Sequence, residues 1–269
     1  MTIRKLGWKK QSLDSRDLKM VHFSLVKELP LTAALPTVVN LRKWCSEVQD
    51  QGDLGSCTAN AWAGILQFNE NRYPTPGKRY FDMSRLFIYY NERAIEGTIT
   101  DDSGAQLRDG AKAIANYGSA PEYQWPYDTT RFAVKPPQPV YDAAFVNHIH
   151  SYYSLDAKTP DRTLRNLKTC IAAGQPFVFG FMVYDSFMDD AVAQTGVMPM
   201  PNLKTEEIQG GHAVMAVGYN DTERRFLVRN SWGPGWGLKG TNAGYFTCPY
   251  AFISDPNMAS DFWTVVKEI

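Results

Sequence analysis

Gly55-Ser56-Cys57-Thr58-Ala59-Asn60-Ala61-Trp62-Ala63-Gly64-Ile65-Leu66-Gln67-Phe68 is the run from which the fold is read. Ser56 is a residue type that caps helices, so a helix is expected to begin near Cys57. Its apolar positions, Ala59, Ala61, Trp62, Ala63, Ile65, Leu66 and Phe68, cover nearly all sides. A helix that is apolar all round is buried centrally rather than laid on a surface. Two more helices are expected beside it. One covers residues 83–96, with Ser84 near its start and Gly97 just past its end; the other covers residues 105–117, with Gly118 as its stop.

The pattern changes after Pro136-Pro137-Gln138-Pro139. Residues 146–153, 177–184, 213–219, 226–230 and 245–248 are short aromatic or β-branched runs bounded by Gly, Asn, Asp or Pro, as strands are. One helix is expected among them, over residues 162–173. A helical half followed by a strand-rich half reads as α+β, with an antiparallel sheet or open barrel and a groove between the lobes. The expected divisions are an N-terminal extension over 1–34, a mainly helical lobe over 35–139 and a mainly β lobe over 140–269. Pro30 and Pro36 favour an extended strap at the end of that extension. The strap has two readings, one crossing the groove and restraining access, the other packing on the back of the body.

Composition narrows the function classes. Hydrophobic residues make up 44% of the 269 and charged residues 21%, which suits a globular chain and not a disordered one. Lys+Arg and Asp+Glu are 28 each, so the net charge is zero, and no basic stripe is visible. Neither nucleic acid nor a membrane is expected as a partner. The longest charge-free runs, 54–69 and 169–184, are about 16 residues each and contain Gly and polar residues, short of a spanning helix. Cys45, Cys57, Cys170 and Cys248 are far apart with no CxxC pair, so nothing demands a disulfide. The N-terminus carries no apolar signal core, and a cytoplasmic location is expected, with secretion open if a leader precedes this sequence.

Four residues invite chemistry. Cys57 sits at a helix start, where backbone N–H groups and the helix dipole stabilise a thiolate; a buried structural thiol is the plainer reading. Gln51, six residues earlier, could donate its amide to an oxyanion. His212 follows Gly210-Gly211, which let a ligand approach the backbone, and precedes a run that reads as a buried strand. Asn230 opens Asn230-Ser231-Trp232-Gly233-Pro234-Gly235-Trp236-Gly237. It falls 18 residues after His212, a spacing that suits adjacent strands joined by a turn near Asn220-Asp221. An amide there can orient the imidazole, and a tryptophan can keep water from their contact.

Together these segments resemble the papain-like cysteine peptidases. Gln51, Cys57, His212 and Asn230 stand in the family's order, with about 155 residues from Cys57 to His212. Leu35-Pro36-Thr37-Val38-Val39-Asn40-Leu41-Arg42 is similar to the start of a mature chain of that family, and Trp125-Pro126-Tyr127 resembles its Tyr-Pro-Tyr segment. The resemblance covers roughly residues 35–265 and is nearest to compact bacterial members. It implies a papain-like two-lobed fold, with a helical left lobe and an antiparallel β-barrel-like right lobe flanking the cleft. It implies a thiolate–imidazolium pair of Cys57 and His212, an oxyanion site from the Gln51 amide and the Cys57 backbone N–H, and orientation of His212 by Asn230 under Trp232. Ser103, Gly104 and Gly211 would bind peptide backbone, and Ala105 and Ala213 would wall the pocket for the second residue upstream of the cut. No cofactor or metal is implied, and the partner is a peptide or protein substrate. The segment 1–34, shorter than the family's usual pro-segments, is a candidate intramolecular inhibitor.

The chain departs from the family pattern in three places. Leu54 stands where a disulfide cysteine is usual, Thr58 where a tryptophan follows the nucleophile, and Thr241-Asn242-Ala243 add residues to a loop. The competing readings are a transglutaminase-like Cys–His acyltransferase, disfavoured by Asn rather than Asp in third place, and a non-catalytic peptide-binding relative, disfavoured by the complete set of four. A metal site at His148 and His150 lacks any further ligand at a suitable spacing.

Overall fold

The computed structural model describes residues 4–20, 34–74 and 80–265. The segment around Pro30 lies outside the described residues. The central helix, α1 (Cys57–Arg72), is buried from Cys57 through Asn69, as its all-round apolar pattern requires. Ser56 does not cap it with its side chain. The Ser56 hydroxyl is taken instead by Asn60 Nδ2 and the Tyr127 hydroxyl, and the Ser56 carbonyl accepts the first helical N–H from Asn60.

Helix α2 (Arg85–Glu96) begins on Ser84, whose hydroxyl accepts from Phe87 N–H, and ends on Gly97 in the left-handed conformation. Helix α3 (Leu107–Tyr117) stops at Gly118. The Trp62 indole of α1 donates to the Leu107 carbonyl at 3.0 Å, tying α1 to the start of α3. The proline-rich stretch that reads as a break opens helix α4 (Gln138–Phe145), with Pro139 in its first turn, where a missing N–H costs nothing.

The second half holds helix α5 (Pro160–Ala172) and the strands β2 (Tyr152–Ser154), β3 (Phe177–Tyr184), β4 (Ile208–Asn220), β5 (Arg225–Arg229), β6 (Tyr245–Pro249) and β7 (Ala259–Val265). They form one antiparallel sheet in the order β2-β7-β3-β4-β5-β6, and β1 (Val38–Asn40) also pairs with β4. The path does not close, so the right lobe is an open sheet. Residues 146–151 are not a strand, because β7 offers partners only to Tyr152, Tyr153 and Ser154. The rings of His148 and His150 therefore lie edge to face in a turn, and no metal-holding cluster exists among the described residues.

Alternation in β3 and β4 divides the core. Phe177, Phe179, Phe181 and Val183 join Val214, Ala216 and Phe262 in one cluster. Val178, Ala213, Met215 and Val217 face the other way, onto α1, α2 and α3. The same sheet surface that buries α1 thereby brings the start of β4 to the tip of that helix.

Candidate active site

Cys57 is the first residue of α1 and His212 lies near the start of β4; both are wholly buried. The β4–β5 hairpin returns the chain so that Asn230 follows β5 beside His212. His212 Nε2 and Asn230 Oδ1 are 2.8 Å apart. Oδ1 also accepts the Ser231 backbone N–H at 2.8 Å, so the atom facing the ring is an acceptor and Nε2 carries the proton. That tautomer leaves a lone pair on Nδ1, which has no partner among the described residues. Trp232 stacks on the imidazole with ring centres 4.8 Å apart, and Phe181 meets it edge-on at 5.6 Å. Together they keep water from the His212–Asn230 contact.

Gln51 is tied to the same loop. Its N–H donates to the Ser231 carbonyl at 2.8 Å, and its side-chain Oε1 accepts the Ser231 hydroxyl at 2.6 Å. With Oε1 engaged, Nε2 turns into the cleft and donates to the carbonyls of Lys5 and Leu54, each at 3.0 Å.

Sequence reasoning noted Tyr127 only as part of a motif, yet its hydroxyl joins Ser56 to the Gln51 carbonyl. Ser231 likewise appeared only within a motif, and Asp102 went unnoticed. Asp102 accepts the Gly55 N–H at 3.0 Å and the Tyr89 hydroxyl, bracing the turn before the nucleophile. A short polar side chain inside an apparent loop carries no signal of such a task.

Residues 4–9 run through the cleft, not behind the body. Beyond the Lys5 carbonyl at Gln51, the Gly7 N–H is directed to the Cys57 sulfur, as are those of Ala213 and Thr58. The Gly7 carbonyl accepts from Ala105 N–H at 2.8 Å, Trp8 N–H donates to the Gly211 carbonyl at 2.9 Å, and Lys9 N–H donates to the Ala105 carbonyl at 3.0 Å. The backbone ladder thus uses Ala105 and Gly211. The Gly104 N–H is turned away to the Tyr89 hydroxyl, and Ser103 serves through its hydroxyl, which accepts from Lys9 Nζ at 3.1 Å. Ala213 lies in the core cluster that also holds Trp8, and Trp232 carries a strap contact through its carbonyl, 3.1 Å from Arg4 Nη2.

Charge holds the strap as well. Lys5 pairs with Asp102 at 2.6 Å, Lys9 with Glu96 at 2.9 Å, and Arg4 with Asp50. Arg108 grips both carboxylate oxygens of Asp17, at 2.7 and 3.0 Å, and that pair is largely buried.

Burial acts on both reactive groups of the covered cleft. Burial pushes the Cys57 thiol up to about 12, against the pull of the three N–H groups. Burial likewise drives the His212 imidazole down to about 4, against the Asn230 contact. Burial under the strap thus opposes formation of the thiolate–imidazolium pair expected from the sequence. The other three cysteines are also free thiols, Cys170 and Cys248 deep in the core and Cys45 partly exposed.

The model of the papain family of cysteine proteases matches residues 35–250. A peptidase C1-like protein of Acanthamoeba polyphaga mimivirus is 42% identical over 99% of this chain and 88% of its own length. The crystal structure of xylellain, a cysteine protease from Xylella fastidiosa, superposes with a TM-score of 0.83 at 37% identity, over 100% of this chain and 99% of that one. A procathepsin B from Trypanosoma congolense shares the fold, with a TM-score of 0.74 at 19% identity over 99% of this chain and 87% of its own.

Proposed function

The chain belongs to the papain family of cysteine proteases, and from that premise we propose that Cys57, His212, Asn230 and Gln51 perform its hydrolysis of peptide bonds. The observation that carries this reading is the His212–Asn230 contact at 2.8 Å, sealed by Trp232, which leaves Nδ1 as the free base of the ring.

In an open cleft, solvent returns to the pair and His212 Nδ1 takes the Cys57 proton. The helix tip and the imidazolium then stabilise the thiolate. The sulfur attacks the scissile carbonyl, and the developing oxyanion takes N–H bonds from Gln51 Nε2 and the Cys57 backbone. His212 returns the proton to the leaving amine, then activates the water that hydrolyses the thioester. Asn230 Oδ1 holds the ring through both transfers.

Residues 4–9 act as an intramolecular restraint on this site. The support is the pattern of contacts across the cleft. The carbonyl at Gln51 belongs to Lys5, whereas the sulfur faces the Gly7 N–H. The strap thus covers both the Gln51 amide and the Cys57 sulfur. The test is reaction with a peptidyl epoxide. The label is expected on Cys57, and its absence from Cys57 in a strap-displaced variant would overturn the assignment.

A further inference from the structure

Gln51 lies outside every helix and strand, yet an oxyanion donor acts only when its N–H is held where the charge develops. Ser231 fixes the Gln51 loop from the β side, through its contacts to the Gln51 backbone N–H and Oε1. The other oxyanion donor, the Cys57 N–H, belongs to the tip of α1. One side chain joins the two. The Tyr127 hydroxyl donates to the Gln51 carbonyl at 2.9 Å and meets the hydroxyl of Ser56, the residue before the nucleophile.

The protons in this contact have a fixed order. A phenol has one proton and a carbonyl only accepts, so the Tyr127 proton goes to Gln51. The Ser56 proton then goes to the Tyr127 oxygen, and Ser56 Oγ accepts from Asn60 Nδ2 at 3.1 Å. Asn60 lies one turn along α1, so the chain Asn60–Ser56–Tyr127–Gln51 runs from the buried helix to the oxyanion loop, each bond polarising the next. Arg85 braces it from α2. Its guanidinium lies 3.8 Å from the centre of the Tyr127 ring, and its Nη1 donates to the Asp50 carbonyl at 3.1 Å. Its Nη2 donates at 3.1 Å to Glu122 Oε1, which also accepts the Tyr127 backbone N–H at 3.1 Å. The ring is thus fixed through its face, its backbone and its hydroxyl. Burial pushes the phenol up to about 12, away from loss of that proton.

We propose that Tyr127 is a positioning residue of the oxyanion site, its hydroxyl setting the distance from the Gln51 amide to the Cys57 N–H by tying the Gln51 loop to the tip of α1. The inference rests on the peptidase reading. Tyr127 donates to no reacting atom and acts through Gln51. Without the hydroxyl, Gln51 stays bonded to Ser231 and follows the β side, so its Nε2 loses register with the Cys57 N–H.

The experiment uses a fluorogenic peptide and the full chain with Gly7→Val, for which the cleft beside Gly55 has no room under the strap. Tyr127→Phe removes the hydroxyl and keeps the ring under Arg85. It is expected to lower kcat about tenfold with KM within about twofold, as a misplaced rather than a missing oxyanion donor does. Alkylation of Cys57 by iodoacetamide, which forms no oxyanion, should keep its rate within about twofold. In a chain that already carries Gln51→Ala, Tyr127→Phe should cost less than about twofold further, because the group it positions is gone. Ser56→Ala cuts the same chain at the helix tip and should depend on Gln51 in the same way, which decides the matter if Tyr127→Phe does not fold. An equal loss with and without Gln51 would overturn the proposal. So would an undiminished kcat in Tyr127→Phe, or alkylation slowed as much as turnover. If the Gly7→Val chain cuts no peptide at all, the peptidase reading fails, and the role of Tyr127 falls with it.

Discussion

Gly7 passes so close to Gly55 that a Cβ on residue 7 would lie 1.9 Å from the Gly55 carbonyl oxygen. Gly55 is two residues before the nucleophile, and its N–H is held by Asp102, so it has little room to yield. The strap fits the cleft only because its seventh residue has no side chain. Gly7→Val should drive it out and raise peptide turnover about tenfold or more, the increase measuring the fraction of molecules opened. Unchanged kcat/KM in Gly7→Val would show that residues 4–9 do not limit access.

Gln51 has its side-chain orientation set by Ser231. In a Gly7→Val background, Gln51→Ala should lower kcat by about 10²–10³, the loss expected for one oxyanion donor. Ser231→Ala frees Oε1 and should lower kcat by a smaller factor while KM changes little. Full activity in Gln51→Ala would contradict the assigned oxyanion site.

Thr58 replaces the family's tryptophan and does a different task. Its hydroxyl donates to Glu92 Oε2 at 2.7 Å, and Glu92 is fully buried. Burial holds that carboxyl well above the usual range. Thr58→Val removes the donor and should cost about 1–3 kcal/mol in urea unfolding, while Glu92→Gln should cost less. Equal stability of Thr58→Val and the unsubstituted chain would contradict this account.

Asp261 gives a pH signature of its own. Burial, more than the like charge of Asp156, raises its carboxyl to about 7 in the folded chain. A raised acid contributes its stability below the unfolded value, near 4, and loses it as pH rises towards 7. The Tm of Asp261→Asn relative to the unsubstituted chain should therefore climb between pH 4 and 7 and level off above. Its full span corresponds to at most about 4 kcal/mol. A pH-independent difference would contradict the raised value.

The residues that perform chemistry were legible because their neighbours are constrained. A helix tip before Cys57, paired glycines before His212 and a Trp–Gly loop after Asn230 leave marks in composition. Helix ends at Ser84, Gly97 and Gly118 were legible for the same reason. The path of the strap was not: its ladder uses the backbone of Gly7, Trp8 and Lys9, which any sequence possesses. Strand β7 was missed because Asp261, a charged residue at positive φ, breaks its alternation. Residues 146–151 misled in the opposite direction, since an aromatic and β-branched run becomes a strand only where another strand lies alongside.

The most direct test is reaction of the full chain with a peptidyl vinyl sulfone, followed by mass mapping. Cys57 should be the residue modified, about tenfold or more faster in Gly7→Val than in the unsubstituted chain, and the modification should be lost when His212→Ala is added. Label spread over Cys45, Cys170 and Cys248, or a Cys57 rate indifferent to both substitutions, would contradict a strap-covered Cys57–His212 pair.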